Sequence, residues 1–153
     1  MRISTKGRYA LRLMLDLAVN GSEHYISIKN IATRQKISDK YLEQIINQLC
    51  KAGFVTSARG ANGGYRLSKK PEEYTVGAIL TVMEGTLSPV PCLDNQSDPC
   101  SYSNACVTLE VWQRIHQAVQ NVVNNITLAD LVQNYRKRFG HDDFAPCCAD
   151  DLE

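Results

Sequence analysis

The feature that most restricts this chain is a glycine-rich link, Ala58-Arg59-Gly60-Ala61-Asn62-Gly63-Gly64, set between two short β-prone runs, Phe54–Ser57 and Tyr65–Ser68. Three glycines and an Asn supply the positive-φ positions that a tight hairpin needs. Three short helical patterns lie immediately ahead of it. Thr5 is placed to cap a first helix running to about Asn20, with Leu11, Met14, Leu15 and Ala18 on one face and Asn20-Gly21 as its stop. His24–Ile26 reads as a short strand leading to Ser27, the cap of a second helix that turns Ile28, Ile31 and Ala32 inward. After a break at Lys36-Ile37, Ser38 caps a third helix with the apolar stripe Leu42, Ile45, Ile46 and Leu49, closed near Gly53. Two short helices joined by a tight turn, then a hairpin, are the layout of a winged helix-turn-helix.

The charge distribution points the same way. The net charge is only +1, but residues 1–70 hold 13 Lys and Arg against 4 Asp and Glu, whereas residues 71–153 hold 4 against 12. A basic half fused to an acidic half directs the first at a polyanion. The start of the second helix of a helix-turn-helix enters the major groove of DNA, which places Asp39, Lys40, Tyr41, Glu43 and Gln44 at the bases. Lys40 suits phosphate or guanine, Gln44 adenine, and Glu43 a cytosine amino group. Arg59, beside Gly60 at the wing tip, would reach the minor groove or backbone. Arg2, Lys6 and Arg8 are expected to add phosphate contacts.

Behind the wing, Thr75 caps a short helix to about Glu84, closed by Gly85. Residues 86–105 contain three prolines and no sustained period, so they read as a loop, and a long loop in a small protein usually has a function. Cys92 and Cys100 lie in this loop and Cys106 at its end. A helix of about twenty residues follows, with Val107, Val111, Ile115, Ala118, Val122 and Ile126 on one stripe; so long an amphipathic helix in so small a chain calls for a second copy as partner. A homodimer would present two winged helices to a palindromic site. Thr127 caps a last helix through Tyr135, and the polar tail from Arg136 is expected to be flexible. The expected division is a DNA-binding domain over 1–85, a cysteine-bearing loop over 86–105, dimerisation helices over 106–135 and a tail over 136–153. No apolar run is long enough to span a bilayer, and charge inside the N-terminal apolar pattern argues against a secretory signal. The cytoplasm is the expected compartment. There six cysteines read as ligands or redox-active thiols rather than structural disulfides. Thiolates suit iron–sulfur clusters, zinc and thiol–disulfide switching; zinc favours closer cysteine pairs than this loop offers. Cys50 reads as core filler, and the adjacent Cys147 and Cys148 as incidental thiols. No nucleophile–base pair or phosphate loop points to an enzyme.

The opening Met1-Arg2-Ile3-Ser4-Thr5-Lys6-Gly7-Arg8-Tyr9-Ala10-Leu11, the run Ser38-Asp39-Lys40-Tyr41-Leu42-Glu43-Gln44 and the wing Arg59-Gly60-Ala61-Asn62-Gly63-Gly64-Tyr65 resemble the Rrf-two family of bacterial regulators, over Met1 to about Tyr135. The resemblance implies a dimeric winged-helix DNA binder with a long crossed dimerisation helix. In the members it is closest to in kind, three cysteines between wing domain and dimerisation helix ligate an iron–sulfur cluster; these match Cys92, Cys100 and Cys106. The family's recognition-helix Glu and wing Arg match Glu43 and Arg59. The chain departs in its cysteine spacing, with seven residues then five where members commonly have five twice. Positions that supply a fourth ligand in some members carry Leu109 and Arg8 here. Asp94, Asp98, Glu110, or an exogenous thiol or water are the candidates for that ligand, with His116 further along the helix. A 2Fe–2S cluster is preferred to 4Fe–4S.

The implied function is cluster-dependent transcriptional regulation, as a repressor of iron–sulfur biogenesis genes. The alternatives are a nitric oxide- or redox-sensing or cysteine-metabolism repressor of the same family, and, from another class, a cluster or metal carrier without DNA binding.

Overall fold

The computed structural model describes residues 2–21, 24–94 and 100–140. It contains six α-helices and one two-stranded hairpin: α1 (Thr5–Asn20), α2 (Ile28–Gln35), α3 (Asp39–Lys51), β1 (Val55–Ala58), β2 (Gly64–Leu67), α4 (Val76–Glu84), α5 (Leu109–Asn125) and α6 (Leu128–Phe139). This is the mostly helical, winged helix-turn-helix architecture expected. The expected caps Ser27, Ser38, Thr75 and Thr127 each accept a backbone N–H in the first turn of their helix, satisfying a donor that otherwise has no intrahelical partner. For α1 the cap is Ser4, one residue ahead of Thr5. Its Oγ accepts from Gly7 and donates to Glu84 at 2.7 Å, so a contact from the end of α4 decides between two adjacent hydroxyls.

α1 is the central helix. Ala10, Leu13, Met14 and Leu17 are fully buried among Ile31 of α2, the Leu42, Ile45, Ile46 and Leu49 stripe of α3, Ile79 of α4 and Leu128 of α6. Fully burying a leucine, isoleucine or methionine side chain of this kind stabilises by roughly 1.5–3 kcal/mol. α6 belongs to the same core through Leu128 and Val132. It is held there by backbone pairing, with Val76 N–H donating to Ile126 O at 2.9 Å and Leu128 N–H to Tyr74 O at 2.8 Å. α6 also runs to Phe139, past the Tyr135 end expected for it, with the Phe139 ring 5.1 Å from that of Tyr135. The remainder of the tail, including Cys147 and Cys148, lies outside the described residues.

Hydrophobic stripes choose which face of a helix turns inward, and between α1 and α2 a buried carboxylate adds directional hydrogen bonds. Asp16 is fully buried and receives both Arg34 Nη2 at 2.6 Å and Nε at 3.1 Å, with Gln35 Nε2 at 2.8 Å. The two-pronged guanidinium grip is directional as well as strong. The turn into α3 follows at once, through Lys36 in the left-handed region (φ 54°, ψ 43°), whose position closes α2.

Two stability outcomes follow. Asp16→Ala leaves a guanidinium and a buried amide without their acceptor and should lower the unfolding free energy by about 3 kcal/mol, read as a shift of the urea midpoint. Lys36→Gly removes the left-handed penalty of a side chain and should raise the same midpoint, by about 1 kcal/mol.

Candidate nucleic-acid interface and cysteine loop

Along α3 the burial pattern divides the sequence cleanly. Leu42, Ile45, Ile46 and Leu49 have no exposure, whereas Asp39, Lys40, Glu43 and Gln44 are exposed on the opposite face and Tyr41 is half-buried at its edge. Five side chains expected at the bases are therefore brought to one end of one helix face. Asn47, one turn beyond Glu43, is exposed too; helical spacing from Glu43 would have found it. Tyr41 is held from the side by Tyr9 of α1, edge to face at 5.8 Å between centroids.

The wing pairs β1 with β2 in the register Val55 to Leu67 through Ala58 to Gly64, which puts Arg59 and Gly60 at the exposed tip. The expected strands are each displaced by one residue, because pairing begins where Ala58 meets Gly64. Gly64 has φ +147°, and a Cβ there would collide with the Ile26 backbone. That close approach lets Tyr65 and Ile26 exchange two backbone hydrogen bonds of 2.8 and 2.9 Å, fixing the wing to the lead of α2. The expected His24–Ile26 strand is thus reduced to one bridge. A polar groove of ≈ 610 Å³ lies between wing and lead, lined by Ser27, Asn30 and Asn62 among others. At the N-terminus Arg2 and Arg8 are exposed and Lys6 half-buried; Arg2 and Arg8 border a second groove with Ser4 and Thr5.

The cysteines stand apart from this surface in sequence. Cys92 is exposed within a short 3-10 turn, Pro91–Leu93, braced by Ser88 Oγ donating to Leu93 O at 3.1 Å. Cys100 and Cys106 are half-buried on either side of a second such turn, Ser103–Ala105. The Cys106 sulfur lies 3.4 Å from Thr108 Oγ1. That hydroxyl, aided by nearby backbone N–H groups, stabilises the thiolate and holds the Cys106 pKa below the ordinary thiol value. All four cysteines among the described residues are free thiols. Cys50 sits against the core, where burial pushes its thiol up. No group of three His, Cys, Asp or Glu side chains close enough to hold a metal occurs among the described residues. Glu110 is exposed in the first turn of α5 and Asp94 half-buried, while Asp98 lies outside the described residues. His116 is half-buried, with a ring Nδ1 that has no hydrogen-bond partner among them.

A helix-turn-helix with an anchored wing, exposed polar side chains on its second helix and a cysteine loop behind it defines a winged-helix regulator. Residues 3–134 match the Rrf2 family model, described as iron-dependent transcriptional regulator, and the chain belongs to the Rrf2 family of transcriptional regulators. It is 42% identical over 134 residues to protein rrf2 of Nitratidesulfovibrio vulgaris, covering 88% of this chain and 89% of that one. Among solved structures it is similar to CymR, the global cysteine regulator of B. subtilis, with TM-score 0.73 and 41% identity over 88% of this chain and 98% of that. It is equally similar to IscR of T. potens, with TM-score 0.73 and 39% identity over 91% of both chains. No helix of the described residues is long and apolar enough to cross a membrane.

The lowered Cys106 pKa gives a direct test. In metal-free protein, alkylation of Cys106 by iodoacetamide, followed by peptide mass spectrometry against pH, should reach half its maximal rate below the ordinary thiol pKa. Thr108→Val removes the hydroxyl and should move that midpoint up. An unchanged midpoint in the variant would remove the hydroxyl as the cause.

Proposed function

We propose that this chain is an iron–sulfur cluster-dependent repressor that binds a palindromic DNA operator as a homodimer and controls iron–sulfur biogenesis genes. The observation that carries the reading is the placement of Cys92, Cys100 and Cys106. Three free thiols share the one segment that joins the winged helix to α5, and Cys106 lies three residues before that helix begins. The donor chemistry fits: soft sulfur ligands, one already biased toward the thiolate by Thr108. The described residues do not present them as a preformed cage, so ligation requires the loop to close. These three residues would hold the cluster, with the fourth ligand open between a loop carboxylate, Glu110 and an exogenous group; a bound cluster supplies sensitivity to oxidation and to iron supply, and 2Fe–2S is preferred.

The DNA roles rest on α3 and the wing. Lys40, Tyr41, Glu43 and Gln44 read base edges from the exposed face of α3 with Asp39 at its first turn. Arg59 and Gly60 reach the minor groove or backbone, and Arg2 and Lys6 contact phosphates. Dimerisation is supported by α5, none of whose residues is buried. Val111 and Val122 remain 53% and 58% exposed, with Val107 just before the helix at 93%. An apolar stripe left open along a 17-residue helix is what a symmetric partner helix would cover. The loop's hold on the start of α5 would then bias how two winged helices are spaced, and only a difference in binding energy between two spacings can switch operator occupancy.

The likeness to CymR supports a second reading, a repressor of cysteine metabolism on the same DNA-binding frame. The two separate on metal content. Anaerobically purified protein should show visible charge-transfer absorption with matched iron and sulfide, lost in Cys92→Ala, and mobility shifts of the two forms on one operator should differ in affinity. Colourless protein that resists reconstitution sinks the cluster reading and leaves the second. DNA affinity should fall about 10³- to 10⁵-fold between 50 and 200 mM salt if six to ten phosphates are contacted; no salt dependence would instead favour a carrier that does not bind DNA.

A further inference from the structure

Between the buried carboxylate of Asp16 and the exposed face of α3 runs a chain of contacts that the DNA-reading residues do not account for. Gln35, only 1% exposed, donates from Nε2 to Asp16 and accepts at Oε1 from Arg12 Nε at 3.1 Å. The Arg12 Nη2 donates to the Gln35 backbone carbonyl at 2.8 Å. That carbonyl belongs to the last residue of α2, where an unpaired acceptor and the negative end of the helix dipole favour a cation. The same guanidinium lies over the Tyr9 ring, 5.2 Å from its centroid. Tyr9 in turn meets Tyr41 edge to face. One side chain thus spans the end of α2, the face of α1 and, through one ring, the first turns of α3.

We infer that Arg12 is a positioning residue for DNA reading, fixing through Tyr9 the orientation of Tyr41 relative to the helix-turn-helix turn. The inference rests on the proposed DNA-reading role of α3. Tyr41 packs against the margin of the core and is half-buried, so the core holds one side of its ring and Tyr9 meets it from another. Tyr9 is likewise half-buried against the core, with the Arg12 cation over its face. Arg12 is itself held, because two hydrogen bonds to a residue clamped by Asp16 fix the guanidinium plane. Lysine would keep the cation over Tyr9 but could not reproduce the two-pronged grip on Gln35. Loss of this chain should therefore blur the discrimination between sequences while leaving the charge-driven attraction to any duplex in place.

The test uses the full chain. A preferred duplex is selected from a randomised pool with the wild type, and affinities for it and for a scrambled duplex of the same composition are measured for the wild type, Arg12→Gln, Arg12→Lys and Tyr9→Leu, with thermal unfolding of each. Arg12→Gln and Tyr9→Leu should lower the ratio of selected to scrambled affinity by about tenfold. Scrambled binding should stay within about twofold, since phosphate contacts elsewhere carry it. Arg12→Lys should fall between them and the wild type. A ratio retained by all three variants overturns the inference, as does an equal loss on both duplexes in folded protein. Should Arg12→Gln unfold, Arg12→Lys and Tyr9→Leu decide by the same ratio. A wild type that selects no sequence over the scrambled duplex fails the DNA-reading proposal itself, and this inference with it.

Discussion

A carboxylate in the interior is tolerable only when its charge is met, and Asp16 meets that condition by gathering Arg34 and Gln35 of α2 and Asn20 of its own helix. The packing of α2 and α3 depends on this arrangement. Apolar packing turns the stripe of α2 toward α1, and the directional hydrogen bonds to Asp16 add a restraint on where α2 sits along that helix. Since α3 leaves α2 after a short turn beginning at Lys36, whatever sets α2 also sets the direction of α3.

The wing is held by a comparable device at its other side. A two-stranded hairpin is marginal alone, and this one is only four residues per strand. It gains a third partner through the Ile26 bridge, which the absence of a Cβ at Gly64 permits. Beyond the hairpin, Tyr74 is buried with its hydroxyl donating to Phe54 O at 2.9 Å and accepting from Lys69 N–H at 2.8 Å. Both ends of the wing are thereby tied to the core. Arg59 is consequently presented by a rigid support even though its own side chain is exposed.

What the sequence discloses follows from the range of the interactions concerned. Ser27, Ser38, Thr75 and Thr127 cap through bonds within one turn, so their type and position suffice to locate four helix starts. Ser4 wins over Thr5 because of Glu84, eighty positions away, and no local signal carries that. The stripe along α5 is legible as periodicity, yet period alone cannot tell a face turned to the core from one left open. The contacts that restrain Tyr41 could not be foreseen either: Arg12 and Tyr9 belong to an α1 pattern that reads merely as amphipathic, and their use depends on where Gln35 lies in space. The cysteine trio is the reverse case, conspicuous by residue type but with a gathering of sulfur atoms that spacing alone does not specify.

The packing around α4 bears on how, in the proposed regulator, a change in the cysteine loop would reach DNA. α4 lies between α1 and α5. At Gly77 a Cβ would meet the Asn124 side chain and Val123 Cγ2 at 2.9 Å, so the two backbones are in close approach. At its other end Glu84 accepts from both the backbone N–H and the hydroxyl of Ser4, fastening α4 to the start of α1. Close-packed contacts of this kind resist gradual deformation. A loop that tightened around a bound group would therefore have little room to shift the winged helix relative to α5 within one chain. The compliant element in the proposed regulator is the open apolar face of α5, where one helix can rotate against its copy by exchanging one set of aliphatic contacts for another. In the proposed homodimer the thiols would then act on the angle between subunits, with each winged helix carried as a rigid body.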